Sequence, residues 1–333
     1  MMQANRRHRI ALLALVLLLP VVVLLHAFSG QISISAGEFV DALFHFDPEN
    51  SHHLIARELR IPRLFTAFIA GSALSVAGLL MQTLFNNPLA GPYVLGINSG
   101  SGLFVAFSFM TGIPFLTSDM GTISSALLGA FLFGLLIMSF SGFIRSHISL
   151  LLVGLMLGSF TSAIIYILQT VSSAEELKAY TMWAMGSLQH TELGQIPLLA
   201  GIAGLAMVST FVLVKPLNAL VLGERDAALL GIQLRTVRML IIALTAVLTG
   251  IVTAYCGPVA FVGLAIPNLV RILFKTQQHR ILILACLLTG GIFLVICDAF
   301  LQWMEQSVFI PINALTSLIG APFVVFIVLK RMA

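Results

Sequence analysis

Long apolar runs separated by short polar breaks fill this chain from end to end. Within a run the apolar residues are continuous and do not alternate, so the runs read as helices and not as barrel strands. Ten of them approach the ~20 mostly apolar residues that a spanning helix needs. They lie near Ile10–Phe28, Leu64–Phe85, Val94–Phe115, Ile123–Phe143, Leu150–Val171, Ile196–Val214, Met239–Tyr255, Val259–Phe274, Ile281–Leu301 and Ala314–Leu329. The seventh and eighth are short and parted only by Gly257-Pro258, and could be misread as one bent helix. The expected fold class is all-α: a single polytopic membrane domain over residues 1–333 with ten transmembrane helices. In lipid only helices and closed barrels satisfy their own backbone.

Composition strengthens this picture. Hydrophobic residues make up 59% of the chain, charged residues 9%, and mean hydropathy is +1.05. A soluble domain carries about 25% charged residues, so a chain this poor in charge cannot cover a water-facing surface.

Basic residues set the orientation. With the N-terminus in the cytoplasm, 13 of the 17 Lys and Arg fall in inner segments, including Arg6, Arg7, Arg9, Arg145, Lys215, Arg225, Arg235, Arg238, Arg271, Lys275 and Arg280. Arg57, Arg60, Arg63 and Lys178 fall outside, whereas Glu224 and Asp226 are the only acidic residues inside. Ten spans then place both termini in the cytoplasm. The net charge of +4 is a topology signal, and no nucleic-acid partner is expected. The first span, with Arg6-Arg7-His8-Arg9 before it, also has the form of a secretory signal peptide; its removal would leave an odd span count. Cys256, Cys286 and Cys297 match no metal spacing and read as small packing residues.

Two outer segments are long enough to hold structure. Ser29 to Arg63 is expected to carry a short helix near Ala36–Phe44, capped by Ser35 or Ser33, with Glu38 in its first turn. Ser172 to Gln195 carries Trp183, which reads as an interfacial anchor. A faint repeat links Arg60-Ile-Pro-Arg63 before the second span with Arg235-Thr-Val-Arg238 before the seventh, one outside and one inside, as in inverted-topology transporters. The glycines inside the spans read as close-packing positions.

Four places carry candidate chemistry. The stretch Asn86 to Gly100, with Asn87, Pro88, Asn98, Ser99 and Gly100, is too polar for a lipid-facing helix. It is a tight inner turn, part of a pathway wall, or both. Gly257 to Arg271 is similar, with Pro267 removing a helix donor beside Asn268. Asp298 lies inside a span, which marks a carboxylate as functional by default, although its place near the outer end also suits capping or snorkelling. Finally, Lys215 to Arg238 is a charged inner break whose centre, Gly223 to Gly231, reads as a short helix with glycine at both ends. A membrane protein that keeps such a helix on a cytoplasmic loop offers it to a soluble partner.

Other chemistries are missing from the sequence. There is no Gly-Lys dipeptide, hence no phosphate-binding Walker loop, and the chain is expected not to be an enzyme or to hydrolyse ATP itself. His52-His53 has too few companions for a metal site, and no cofactor is expected. No span carries a set of groups suited to relaying protons, which counts against the alternative of an ion-coupled secondary transporter. A membrane-embedded enzyme would need a His, Asp or Cys constellation within the spans.

In combination these stretches resemble the permease family of ABC importers for iron–siderophore complexes, haem and vitamin B12. The resemblance runs from Leu59-Arg60-Ile61-Pro62-Arg63 to Leu318-Ile319-Gly320-Ala321-Pro322-Phe323. It includes Asn87-Pro88-Leu89-Ala90, Leu95 to Gly100, Trp183-Ala184-Met185-Gly186, Gly257 to Arg271, and Gly223-Glu224 followed by Ala227 and Leu230-Gly231. It implies a ten-helix permease in the bacterial inner membrane, a second permease copy forming a homodimer (or a related chain forming a pseudo-dimer), two cytoplasmic ATP-binding subunits and a periplasmic substrate-binding protein delivering a metal chelate.

The resemblance implies that Gly223 to Gly231 is the ATPase-coupling helix. Glu224, Arg225 and Asp226 would form a polar rim, and Ala227 and Leu230 would pack into the ATPase groove. Arg57, Arg60 and Arg63 would dock acidic residues of the binding protein. Two departures stand out: Asn268 where many relatives have His, and Gln302 where some have an outer Arg that docks one lobe. The inner loop Arg145-Ser146-His147-Ile148-Ser149 sits where relatives place a gate, without a clear match.

Overall fold

The computed structural model describes residues 2–30, 32–111, 113, 117–144, 146–305 and 308–332. Arg145 and Phe115 lie outside the described residues. Among the described residues the regular structure is entirely helical.

The first helix, α1 (Met2–Phe28), leads to α2 (Ala36–Phe44), which covers the residues expected. Ser35 caps it: its hydroxyl accepts from the Glu38 N–H, and the Glu38 carboxylate accepts from the Ser35 N–H at 2.8 Å. The Ser35 hydroxyl, donating to that carboxylate at 2.7 Å, with the Ser35 N–H and His52, holds the pKa of Glu38 down at about 2. A helical turn (Ser51–Leu54) and a π-helical stretch (Ile55–Arg60) then run straight into α3 (Ile61–Leu84).

After a 3-10 turn (Pro92–Leu95) come α4 (Ile97–Met110), α5 (Asp119–Phe143), α6 (His147–Val171) and α7 (Ala174–Ala184). The remainder is α8 (Ile196–Ser209), α9 (Val214–Leu220), α10 (Glu224–Leu229), α11 (Leu234–Cys256), α12 (Val262–Phe274), α13 (His279–Met304) and α14 (Ile312–Met332).

Among the described residues, seven helical stretches are long and apolar enough to cross a membrane: 6–28, 51–84, 119–143, 148–171, 193–220, 234–256 and 279–304. Two shorter apolar helices, Ile97–Met110 and Val262–Phe274, stand where the third and eighth spans were expected, and α14 covers the tenth. The shortening has local causes. Gly96, at φ +76°, ends the 3-10 turn and delays α4. Gly257 at φ +67° and Phe261 at φ +64° keep residues 257–261 out of the helix, so α11 and α12 are separate. Pro267 does not break α12, which runs on through it.

The core forms around α3, which packs against α8, α11, α12 and α13 and is buried along nearly its whole length. Its sequence allows this because so many of its residues are small: Ala67, Ala70, Gly71, Ser72, Ala73, Ser75, Ala77 and Gly78. Backbones touch at two places. A Cβ on Gly78 would lie 1.6 Å from the Gly263 carbonyl oxygen, and one on Gly71 would lie 2.1 Å from that of Gly290. Between them, the Ser72 and Ser75 hydroxyls donate across to the Leu287 and Cys286 carbonyls at 2.8 and 2.6 Å. The three cysteines are buried and unbonded to one another, as packing residues are.

Trp183 sits half-buried at the end of α7, its ring 6.1 Å from Tyr180 and its backbone against Gly257. The reason is α7 itself, a helix that starts from a Ser173/Glu176 capping box and lays this segment on the bundle.

Candidate functional site

Two clusters of polar residues lie at opposite ends of the bundle, and each is organised by the second arginine of an Arg-x-x-Arg pair. At the first end, Gly223 adopts φ +114° and lets the chain turn sharply into α10. The carbonyl of Gly223 then accepts from Ala227, and Gly231, at φ +80°, closes the far end with its N–H on Ala228. Both glycines therefore stand at the ends of the helix for conformational reasons.

Glu224 accepts from Arg238 at 3.0 Å, and the same guanidinium donates to the Ile144 carbonyl at 2.9 Å. This ties α10 to the start of α11 and the end of α5. Ala227 is fully buried under the helix, so it anchors α10 to its own chain and is not available to a partner's groove. The surface that α10 presents is instead Leu229 and Leu230, 83% and 64% exposed, flanked by exposed Arg225 and Asp226. Leu229 was not singled out from the sequence; its place beside Leu230 at the helix end was the available signal.

Behind α10 a hydrogen-bonded chain leads into the core. Asn218 on α9 accepts from both the backbone N–H and Nδ1 of His279, each at 2.9 Å. The ring's other nitrogen lies 2.9 Å from the Thr83 hydroxyl, at the end of α3. Since the Asn218 oxygen only accepts, Nδ1 carries the proton and Nε2 can accept from Thr83. Next to it, Arg271 donates to Gln82, and Gln82 donates to the Leu264 carbonyl at 3.1 Å.

The pathway candidates divide into two groups. Asn268 is buried, and its side-chain amide donates to the Pro88 carbonyl at 2.8 Å and to that of Leu264 at 2.9 Å. It therefore clasps α12 to the Asn87-Pro88 turn, and Pro267 beside it is buried too. Asn98, Ser99 and Gly100 are elsewhere, on the first turns of α4, where Gly100 packs against Gly129 and Phe133 of α5.

At the opposite end lies Asp298, fully buried and neither capping nor snorkelling. Nε of Arg63 reaches both its oxygens, at 2.9 and 2.8 Å, and His26 Nε2 lies 2.7 Å from one of them. Gln302 donates to that same oxygen at 3.2 Å. Arg63 also binds Glu305 at 2.8 Å, and Glu305 in turn accepts from Gln189 at 2.6 Å. The network joins α1, α3 and α13 to the segment after α7.

This arrangement corrects the expectation for the outer arginines. Arg60 is buried and donates to the carbonyls of Ala27 and Ile32; Arg63 is consumed by Asp298 and Glu305. Both are engaged inside the chain because burial leaves a guanidinium no solvent to pair with. Only Arg57 of the three keeps a substantial exposed surface, with its guanidinium 4.3 Å above the Phe46 ring. Gln302, taken from the sequence as a missing docking contact, is a buried member of the Asp298 network. Among the described residues no cluster of His, Cys, Asp or Glu could hold a metal ion: His52 is 2.9 Å from Glu38, and His53 is 3.6 Å from Asp41.

Known proteins resemble the chain over nearly its whole length. Residues 17–330 match the profile of the FecCD transport family. The hemin transport system permease protein HmuU of Yersinia pestis is 29% identical over 99% of this chain and 98% of its own length. The vitamin B12 import system permease protein BtuC of Salmonella typhimurium is 31% identical over 98% of this chain and 97% of its own. Among solved structures, an inward-facing ABC transporter provisionally described as of the metal-chelate type superposes with a TM-score of 0.85 at 30% identity, covering 96% of this chain and 99% of that one.

Proposed function

This chain belongs to the FecCD transport family, and from that premise we propose that it is the permease subunit of an ABC importer in a bacterial inner membrane. Ten helices span the membrane with both termini in the cytoplasm. Two soluble ATP-binding subunits grip α10 from inside, and a periplasmic binding protein delivers cargo at the Asp298 end. The cargo is a metal chelate: a ferric siderophore, or haem or cobalamin as in the systems of the two permease relatives.

A second copy of the chain completes the conduit. Supporting that, α6 leaves Leu152, Leu155, Met156, Phe160 and Ile167 exposed along one face. Docking of the binding protein falls to Arg57 and its surroundings, since Arg60 and Arg63 are engaged inside the chain.

The observation that carries this reading is the geometry of α10. A six-residue helix is held rigidly by a buried alanine and an ion pair, yet turns two leucines outward beside a charged rim. Paired apolar anchors with a polar rim are the anatomy of a protein interface. A rigid handle of this kind lets nucleotide-driven closure of an ATPase move the helices behind it.

The test replaces Leu229 and Leu230 together with glutamate. The ATP-binding subunits should no longer co-purify with the chain, and ATP-driven uptake into proteoliposomes should fall to background. Normal co-purification and uptake in that variant would overturn the proposal. So would transport by the purified chain alone on an ion gradient, which is the behaviour of a secondary carrier.

A further inference from the structure

A cleft lies between the start of α1 and the end of α12, at the same end of the bundle as α10. It encloses about 240 Å³ and is lined by Arg7, His8, Ala11, Leu273, Phe274 and Lys275. Its two cations are exposed, and neither has a hydrogen-bond or ion-pair partner among the described residues.

Lys275 caps α12 at φ +48°, ψ 44°, the left-handed conformation that glycine or asparagine usually takes at a helix end. Its N–H closes the helix on the Arg271 carbonyl at 3.0 Å, and its side chain lines the cleft. The end of a helix is ordinarily hostile to an anion because its last carbonyls carry partial negative charge. Here His8 offsets part of this: its Nε2 lies 2.9 Å from the Phe274 carbonyl and must be the donor.

The rest of the cleft is apolar, and it opens sideways onto apolar surface: Ile10 and Leu273 beside it are 56% and 58% exposed. Free phosphate would need only the cations. An amphiphile uses both parts, its phosphate on Arg7 and Lys275 and its acyl chain along Ala11, Leu273 and Ile10. Position favours this too, since Arg7 stands one turn before the apolar run of α1 and Lys275 one residue after α12. We infer that the cleft seats the phosphate headgroup of an anionic phospholipid, which would pin α1 to α12 at the membrane surface.

The test uses the full chain, purified in detergent, with native mass spectrometry reading retained lipid. Phosphatidylglycerol is compared with phosphatidylcholine of the same acyl chains. At about 1 kcal/mol per cation near such a headgroup, each lost charge should weaken retention about fivefold. Arg7→Gln with Lys275→Gln should therefore retain phosphatidylglycerol about twenty-five-fold less well, while Arg225→Gln, an exposed cation on α10, retains it like the parent chain. An unchanged thermal unfolding profile in the double variant guards against a folding defect.

Equal retention of the two lipids would overturn the inference, as would a double variant that binds phosphatidylglycerol like the parent. Displacement of the lipid by glycerol 3-phosphate as effectively as by added phosphatidylglycerol would overturn it as well, by showing that the apolar floor contributes nothing. None of these outcomes involves the ATP-binding subunits, so the result is independent of the proposed transport function.

Discussion

Nε of Arg63 sits between the two carboxylate oxygens of Asp298, 2.9 Å from one and 2.8 Å from the other, with both side chains nearly or wholly buried. Removing one member of such a pair leaves the other as an uncompensated charge, a loss of roughly 3–5 kcal/mol. Asp298→Ala should therefore destabilise the chain strongly. The pair's net worth against an apolar replacement is small by the same reasoning. Arg63→Met combined with Asp298→Leu should recover most of the loss, although Glu305 then gives up its arginine. Denaturant unfolding of the two single variants and the double variant checks this: a double variant as unstable as the sum of the singles would contradict it.

The contact between Glu224 and Arg238 works differently, because Glu224 is 40% exposed. An ion pair so near solvent is worth about 0–1 kcal/mol, so Glu224→Gln should barely change stability. Its role is orientation of α10. In the assembled transporter Glu224→Gln should lower cargo moved per ATP hydrolysed several-fold, and Glu224→Arg with Arg238→Glu should restore part of it. Equal uptake-to-hydrolysis ratios in parent and single variant would remove orientation as the explanation.

How much of this was legible in the sequence depended on range. The cap of α2 is local: Ser35 and Glu38 are three residues apart, and the helix lies where that pair puts it. The same signal, Ser173 followed by Glu176, opens α7, although Trp183 and the charges around it give that segment the look of an outer connection. The partners of Arg63 are of another kind. Asp298 lies 235 residues away and the chain alone gives no pairing; the hint is that a lone buried carboxylate needs a cation, and Arg63 in the first turn of α3 is one such cation. Ala227 was misassigned because a six-residue helix shows too little periodicity to tell its buried face from its exposed one.

The glycine contacts of α3 give a prediction that does not depend on function. Gly78→Ala would place a Cβ 1.6 Å from the Gly263 carbonyl oxygen, a backbone atom that cannot swing aside. The helices must separate, at a cost of typically 1–3 kcal/mol or more. Gly201, on α8, has nothing within 4 Å of its Cβ position. Gly201→Ala should be neutral or stabilising by up to about 1 kcal/mol, the helix-propensity gain. Unfolding midpoints of the two variants in the same detergent decide it, and a Gly78→Ala protein as stable as Gly201→Ala would show that α3 and α12 are not in backbone contact.

His279 joins the loop that bears α10 to the core helix. Its ring is buried between Asn218 on α9 and Thr83 on α3, and its backbone N–H is held by the same Asn218 oxygen. Because α10 follows α9 after the short turn at 221–223, a movement of α10 would reach α9, and the His279 bridge offers a route from there to α3 and α13. A packing-only role and a transmission role part company in the variants. His279→Ala should empty the buried ring site and loosen the fold as well as cut the bridge, so it is uninformative alone. His279→Asn keeps a side-chain donor for Asn218 but is too short to reach Thr83 as well, and so cuts the bridge while keeping α9 attached to α13. If the bridge transmits force, His279→Asn retains ATP hydrolysis by the assembled complex and loses uptake several-fold. If the histidine only fills space, hydrolysis and uptake fall together, and the ratio of the two stays at the parent value.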